Sequence, residues 1–211
     1  LAISGFDNGR VLAVSLEDGQ TVWEAAVSPS KGRTELERLN DIDGAVRVVD
    51  NDVFVAGFQG RAGMLALDSG QVWWARDVST YRGIDVDDDH VYVSTSSSEL
   101  LALSRRSGGE VWRDESLKFR SLSAPVVVGD YVAVADLEGY VHWFDRATGT
   151  AAGRAKTSGD RINNAPLVVD DVLYVISDKG DISALRGVPV AARNRGREAA
   201  PAEPAEQPAG G

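Results

Sequence analysis

One short pattern recurs along this 211-residue chain and limits what it can fold into. The segments "LAVSLEDGQTVW" (12–23), "LALDSGQVWW" (65–74), "LALSRRSGGEVW" (101–112) and "HWFDRATGTAAG" (142–153) align, and "SALRG" (183–187) begins a fifth copy. Taking Ala13, Ala66, Ala102, Trp143 and Ala184 as the common column gives spacings of 53, 36, 41 and 41 residues. Their mean of about 43 lies in the range of four-stranded propeller blades.

A second half-motif precedes each turn. "APVVVGDYVAVADLEGYVHWFD" (124–145) and "APLVVDDVLYVISDKGDISAL" (165–185) match closely, and the stretches before Leu67 and Leu103 match more loosely. Each reads as strand, acidic turn, strand, Gly- or Ser-rich turn, strand. The Trp-containing segment supplies a fourth strand. Alternating β-branched and aromatic residues in "YVAVAD" and "VLYVIS" favour strands over helices. The fold class is therefore all-β, a β-propeller of four-stranded antiparallel blades with strands A to D.

The step from turn glycine to tryptophan is constant: Gly19 to Trp23, Gly70 to Trp74 and Gly108 to Trp112. Glycine permits the positive φ of such a turn. Trp23, Trp74 and Trp112 are expected to be structural, docking each blade on its neighbour. The fourth copy has Gly153 in place of the tryptophan, so that blade is expected to dock less tightly.

The repeat count divides the chain into a partial propeller over 1–186 and a tail over 187–211. The first blade retains strands B to D, three full blades follow to about Lys156, and the last blade lacks its outer strand. The chain opens on "LAISGF" with no Met and no visible signal peptide, and is expected to be the C-terminal part of a larger ring. The tail, rich in Ala, Pro and Glu, cannot bury a core and is expected to be disordered. Its Arg193, Arg195 and Arg197 are expected to be solvated.

A net charge of −10 argues against a nucleic-acid partner and against adsorption of the folded surface to anionic lipid. With no cysteine and only His90 and His142, Cys-based and histidine-rich metal sites are not expected. Asp85, Asp87, Asp88 and Asp89 cluster, but the equivalent turns "VDND", "VGD" and "VDD" hold the same residue types. That favours turn chemistry over calcium binding. His142 and Trp143 read as packing residues, and no metal or cofactor is assigned.

The turn pattern A-L-x-x-x-x-G-x-x-x-W resembles the repeat of pyrroloquinoline-quinone-type propellers. Within that superfamily "ELERLNDIDG", "GDYVAVADLEGYVHWFD" and "ALDSGQVWW" are similar to the BamB family, over about residues 1–186. The resemblance implies an eight-bladed ring without catalysis, held at the periplasmic face of the outer membrane by an N-terminal lipidated Cys that lies outside this sequence. It implies a scaffold for β-barrel assembly that binds the POTRA domains of BamA, with unfolded outer-membrane proteins as further partners. A quinoprotein dehydrogenase on the same repeats is the catalytic alternative. It needs a carboxylate and amide ligand set and often a vicinal Cys pair; only Asp160, Asn163 and Asn164 approach the funnel, and there is no Cys. A periplasmic propeller with another partner is the other alternative.

One segment departs from the repeat. "GRTELERLNDIDG" (32–44) joins strand D of one blade to strand A of the next and absorbs the excess of the first spacing. Thr34 to Glu37 fits a capping box that can start a helical turn. Leu36 and Leu39 then share one side around Arg38, an arrangement that suits either an interface anchor or a loop tucked onto the blades with its charges in water. The resemblance assigns partner contact to Leu36, Arg38, Leu39, Asn40 and Asp41. Blade topology adds Tyr81 and Arg82, in the next D–A loop on the same face.

Overall fold

A computed structural model of the chain describes residues 1–6, 8–27, 46–58 and 60–187. Among the described residues all regular elements are β-strands. The first blade comprises β1 (Ala2–Gly5), β2 (Arg10–Val14) and β3 (Thr21–Ala26). The second holds β4 (Arg47–Val49), β5 (Asp52–Val55), β6 (Arg61–Ala66) and β7 (Val72–Asp77). The third is β8 (Ile84–Val86), β9 (His90–Ser94), β10 (Leu100–Ser104) and β11 (Glu110–Asp114). The fourth is β12 (Val126–Val128), β13 (Tyr131–Ala135), β14 (Tyr140–Asp145) and β15 (Ala151–Lys156), and the fifth is β16 (Leu167–Val169), β17 (Val172–Ile176) and β18 (Ile182–Leu185). Each blade is an antiparallel sheet with strands in chain order, so A is innermost and D outermost. The five sheets form an open arc of propeller blades, the all-β architecture that the repeat dictates.

The core is not one cluster but a series of layers between blades. Val11, Ala13 and Trp23 of the first blade meet Val53, Val55 and Leu65 of the second. Phe54 and Trp74 meet Ile84, Val93 and Leu101 of the third. Tyr92 and Trp112 meet Val132, Val134 and Phe144 of the fourth. Val141 and Trp143 then meet Leu173 and Val175 of the fifth. Burial alternates because a strand sends successive side chains to opposite faces, one toward each neighbouring blade. Outer strands β3, β7 and β11 each have one buried residue, Trp23, Trp74 and Trp112, so that indole is the main contribution of each to the core.

The C–D turns are built alike. The N–H of Gly19, Gly70, Gly108 and Gly149 each donates to the carbonyl four residues earlier, at 2.8–3.0 Å. A β-bulge follows in the same place in all four complete C–D pairs. Glycine is needed here for two reasons. Its φ is near +70° (65° at Gly108, 71° at Gly149), and a Cβ there would lie 2.5–2.6 Å from the ring of the preceding blade's tryptophan: Trp23 at Gly70, Trp74 at Gly108, Trp112 at Gly149. Each indole N–H donates across the same gap, Trp23 to the Leu67 carbonyl (2.9 Å), Trp74 to Arg105 (2.8 Å) and Trp112 to Arg146 (3.0 Å).

Two details differ from the repeat alignment. The strand pairing places Met64, not Ala66, across from Trp74, where the other blades have Ala13 across from Trp23 and Ala102 across from Trp112. In the fourth blade the pair is Trp143 and Gly153, so the large residue has moved one strand inward. Trp143 is buried with Leu173 and Val175, while Gly153 across from it is exposed, with open space where a side chain would stand. The cost falls on a polar atom. Among the described residues the Trp143 indole Nε1 has no hydrogen-bond partner, unlike the other three.

Candidate interaction face

The B–C and D–A connections emerge on one face of the arc. Val27 at the end of the first blade hydrogen-bonds the Gly9 carbonyl in that blade's B–C turn (3.0 Å), and the chain re-enters at Val46 before β4. The connection between them holds Leu36, Arg38, Leu39, Asn40 and Asp41, which lie outside the described residues, as does the capping box at Thr34–Glu37.

Tyr81 and Arg82 sit in the following D–A loop. Tyr81 stacks on Phe58 of the second blade's B–C loop, with ring centroids 4.0 Å apart and planes 22° apart, and 60% of it remains exposed. Stacking fixes the ring without burying it. The loop itself is braced from below. Thr80 is buried, and its hydroxyl donates to the Ser94 carbonyl (2.6 Å) while accepting the Arg82 N–H (3.1 Å). Arg82 then reaches the last D–A loop, where its Nη2 donates to Asn163 Oδ1 (2.9 Å). The amide of Asn163 in turn donates to Asp178 (2.9 Å). Tyr81 and Arg82 are therefore adjacent in chain and different in role: one presents a ring to solvent, the other ties distant loops together.

Other side chains on this face were not picked out by the sequence. Phe119, in the third D–A loop, is 86% exposed and has φ of +65°, a conformation that bulky residues rarely adopt. Its neighbour Arg120 pairs with Asp136 (2.6 Å) and Glu138 (2.8 Å). Asp136 is fully buried and also accepts the N–H groups of Glu138 (2.9 Å) and Tyr140 (3.0 Å), with His142 Nε2 at 2.8 Å. Burial raises the Asp136 pKa. His142, the backbone donors and Arg120 outweigh that and hold it down at about 2. The only signal for this cluster in the sequence is the Asp-x-x-Gly turn, which fixes the aspartate but not the arginine that finds it.

Asp85, Asp87 and Asp160 are engaged by turns and by neighbouring blades. Asp87 Oδ1 accepts the N–H of Asp89 (2.9 Å) and of His90 (2.7 Å), and Oδ2 accepts the Tyr92 hydroxyl (2.8 Å). Asp85 accepts the Val127 N–H (2.8 Å), joining the innermost strands of two blades. Asp160 pairs with Lys179 (2.7 Å). These oxygens serve turns and blade contacts.

The chain matches the family model described as outer membrane protein assembly factor BamB over residues 1–114 and 97–189. It belongs to the BamB family. It is 36% identical over 184 residues to the outer membrane protein assembly factor BamB of Pseudomonas aeruginosa, covering 87% of this chain and 48% of that protein. For the protein of the same name from Escherichia coli K12 the identity is 32% over 184 residues, covering 87% and 47%. The crystal structure of BamB from Moraxella catarrhalis superposes with a TM-score of 0.79 at 30% identity, over 86% of this chain and 54% of that one. The chain thus spans about half the length of the curated relatives it matches. A quinohemoprotein alcohol dehydrogenase from Comamonas testosteroni aligns at 17% identity with a TM-score of 0.55, over 68% of this chain, a likeness of fold alone.

Proposed function

We propose that the chain is part of a non-catalytic scaffold of the outer-membrane β-barrel assembly machinery. It binds POTRA domains of BamA and aids delivery and insertion of outer-membrane proteins, whose unfolded chains are further partners. It acts at the periplasmic face of the outer membrane, anchored by lipid attached outside this sequence. Membership of the BamB family is the observation that carries this reading. The docking surface is the B–C and D–A face, with Leu36, Arg38, Leu39, Asn40 and Asp41 as contacts and Tyr81 beside them. A half-exposed ring held on a stacked partner is the kind of pre-ordered group that interfaces use as an anchor. Arg82 supports the face from within through Asn163.

Binding of purified BamA POTRA domains, followed by calorimetry, tests the assignment. Arg38→Glu and Tyr81→Ala are each expected to weaken binding about tenfold, while stability changes by no more than about 0.5 kcal/mol, as for surface substitutions. Unaltered affinity in both variants overturns the site, and absence of any POTRA binding by the unsubstituted protein favours a scaffold with another partner. Dye reduction with an alcohol or sugar after quinone and calcium are added would overturn the non-catalytic reading.

A further inference from the structure

A second surface lies on the rim, away from the loop face. The outer strands differ in what their charged side chains do. On β3, Glu24 pairs with Arg10 of the adjacent strand. On β7, Asp77 pairs with Arg61 (2.7 Å), and Arg76 donates to the Gly108 carbonyl (3.1 Å). On β11, Arg113 pairs with Glu110 (2.7 Å) and with Glu99, and Asp114 accepts from Ser116 (2.6 Å). The fourth blade breaks this rule. Arg154 and Lys156 of β15 have neither an ion pair nor a hydrogen bond among the described residues. Both lie against the ring of Tyr140, at 5.3 and 5.2 Å from its centroid, with Arg120 at 5.9 Å. Two cations without counterions thus share one aromatic support, on a chain of net charge −10.

The backbone at the same two residues is also open. The Thr157 N–H donates to the Gly139 carbonyl (2.9 Å), which makes that pair a hydrogen-bonded one. In an antiparallel ladder such pairs alternate. The next hydrogen-bonded pairs inward are therefore Val141 with Ala155 and Trp143 with Gly153. Arg154 and Lys156 direct their N–H and C=O groups outward, along the free edge of the sheet. The rest of β15 is Ala151, Ala152, Gly153 and Ala155, so no bulky side chain flanks that edge.

We propose that the outer edge of β15 is a strand-addition site for an extended, acidic polypeptide segment. An added strand pairs its backbone with Arg154 and Lys156. Its residues opposite these two are themselves two apart and point to the same face, so carboxylates there meet both cations. Charge complementarity selects the partner: three other outer strands satisfy their own charges, and this one leaves two positive charges unmet. The competing explanation is that the cations guard a bare edge against aggregation, and it predicts no binding.

Fluorescence anisotropy of a labelled peptide carrying two glutamates separated by one residue, flanked by Thr and Val, tests the proposal on the intact chain. Saturable binding is expected, weakened about tenfold or more by Arg154→Glu with Lys156→Glu, and falling steeply with salt. The same peptide with glutamines, and one N-methylated on the residues that face β15, are expected to lose binding. The thermal midpoint of the doubly substituted chain checks its folding, and the two modified peptides test the site with the protein unaltered. Absence of binding, equal affinity for the glutamine or N-methylated peptide, or salt-insensitive binding overturns the proposal. So does sedimentation with vesicles containing anionic phospholipid that depends on Arg154 and Lys156 while the peptide does not bind. No BamA domain enters this experiment, so its outcome is independent of the loop-face assignment.

Discussion

At the scale of single residues, the tryptophans and glycines act in pairs across blades. Trp112 stands for all three anchors: it is 9% exposed, its ring lies against Gly149, and its N–H reaches the Arg146 carbonyl. Trp112→Ala is expected to cost about 3–5 kcal/mol in urea unfolding, the range for truncating a buried aromatic. Gly149→Ala attacks the same contact from the other side, adding a Cβ 2.6 Å from the ring at a φ of 71°. A loss of about 1–3 kcal/mol is expected there, from strain and overpacking together. Asp136 gives a prediction in pH. Its carboxyl is held at about 2 in the folded chain, below the unfolded value. The stability this contributes, about 2 kcal/mol, is fully present above pH ~4 and disappears as pH falls through about 2. Asp136→Asn is expected to flatten that part of the acid-unfolding curve, followed by circular dichroism, and to lower stability at neutral pH.

At the scale of elements, the strands, their order and the turn glycines were legible in the sequence because each rests on a local rule. Alternation marks the strands, and positive φ marks the glycines. The register of the second blade was not legible from its letters. "LAL" recurs at 65–67 and 101–103, yet the structure offsets the two by two residues relative to the turn. A shift of two keeps every side chain on its proper face, so periodicity cannot detect it. The invariant Gly-to-Trp step was the sounder anchor. The exchange at Trp143 and Gly153 was half legible: the absent tryptophan was visible, its replacement from the adjacent strand was not, because only pairing makes those positions neighbours. A double swap tests the compensation. Trp143→Ala alone is expected to cost about 3–5 kcal/mol, and adding Gly153→Trp is expected to recover much of it, read as coupling in a double-mutant cycle. The Tyr81–Phe58 stack and the Arg82–Asn163 bond were beyond sequence reasoning, since they join separate loops. Leu36 to Asp41 lie outside the described residues.

At the scale of the whole molecule, stability is divided among blade interfaces, as in other repeat architectures. The second, third and fourth sheets are covered on both faces. The fifth sheet exposes Leu167, Val169, Tyr174, Ile176 and Ile182, with Ile182 at 72%. Hydrogen exchange is expected to be slowest in β9, β10, β13 and β14 and fastest in β16 to β18. Ile176→Lys with Ile182→Lys is expected to reduce light scattering by this 211-residue chain without altering the protection of the third blade. The displaced tryptophan has a consequence beyond packing. By moving bulk from β15 to β14, the fourth blade keeps its contact with the fifth while relieving its outermost strand of that task. A ring of near-identical units ordinarily has no preferred point on its circumference. Here one exchange of neighbours gives it such a point, and any ligand that recognises the rim has an address to read.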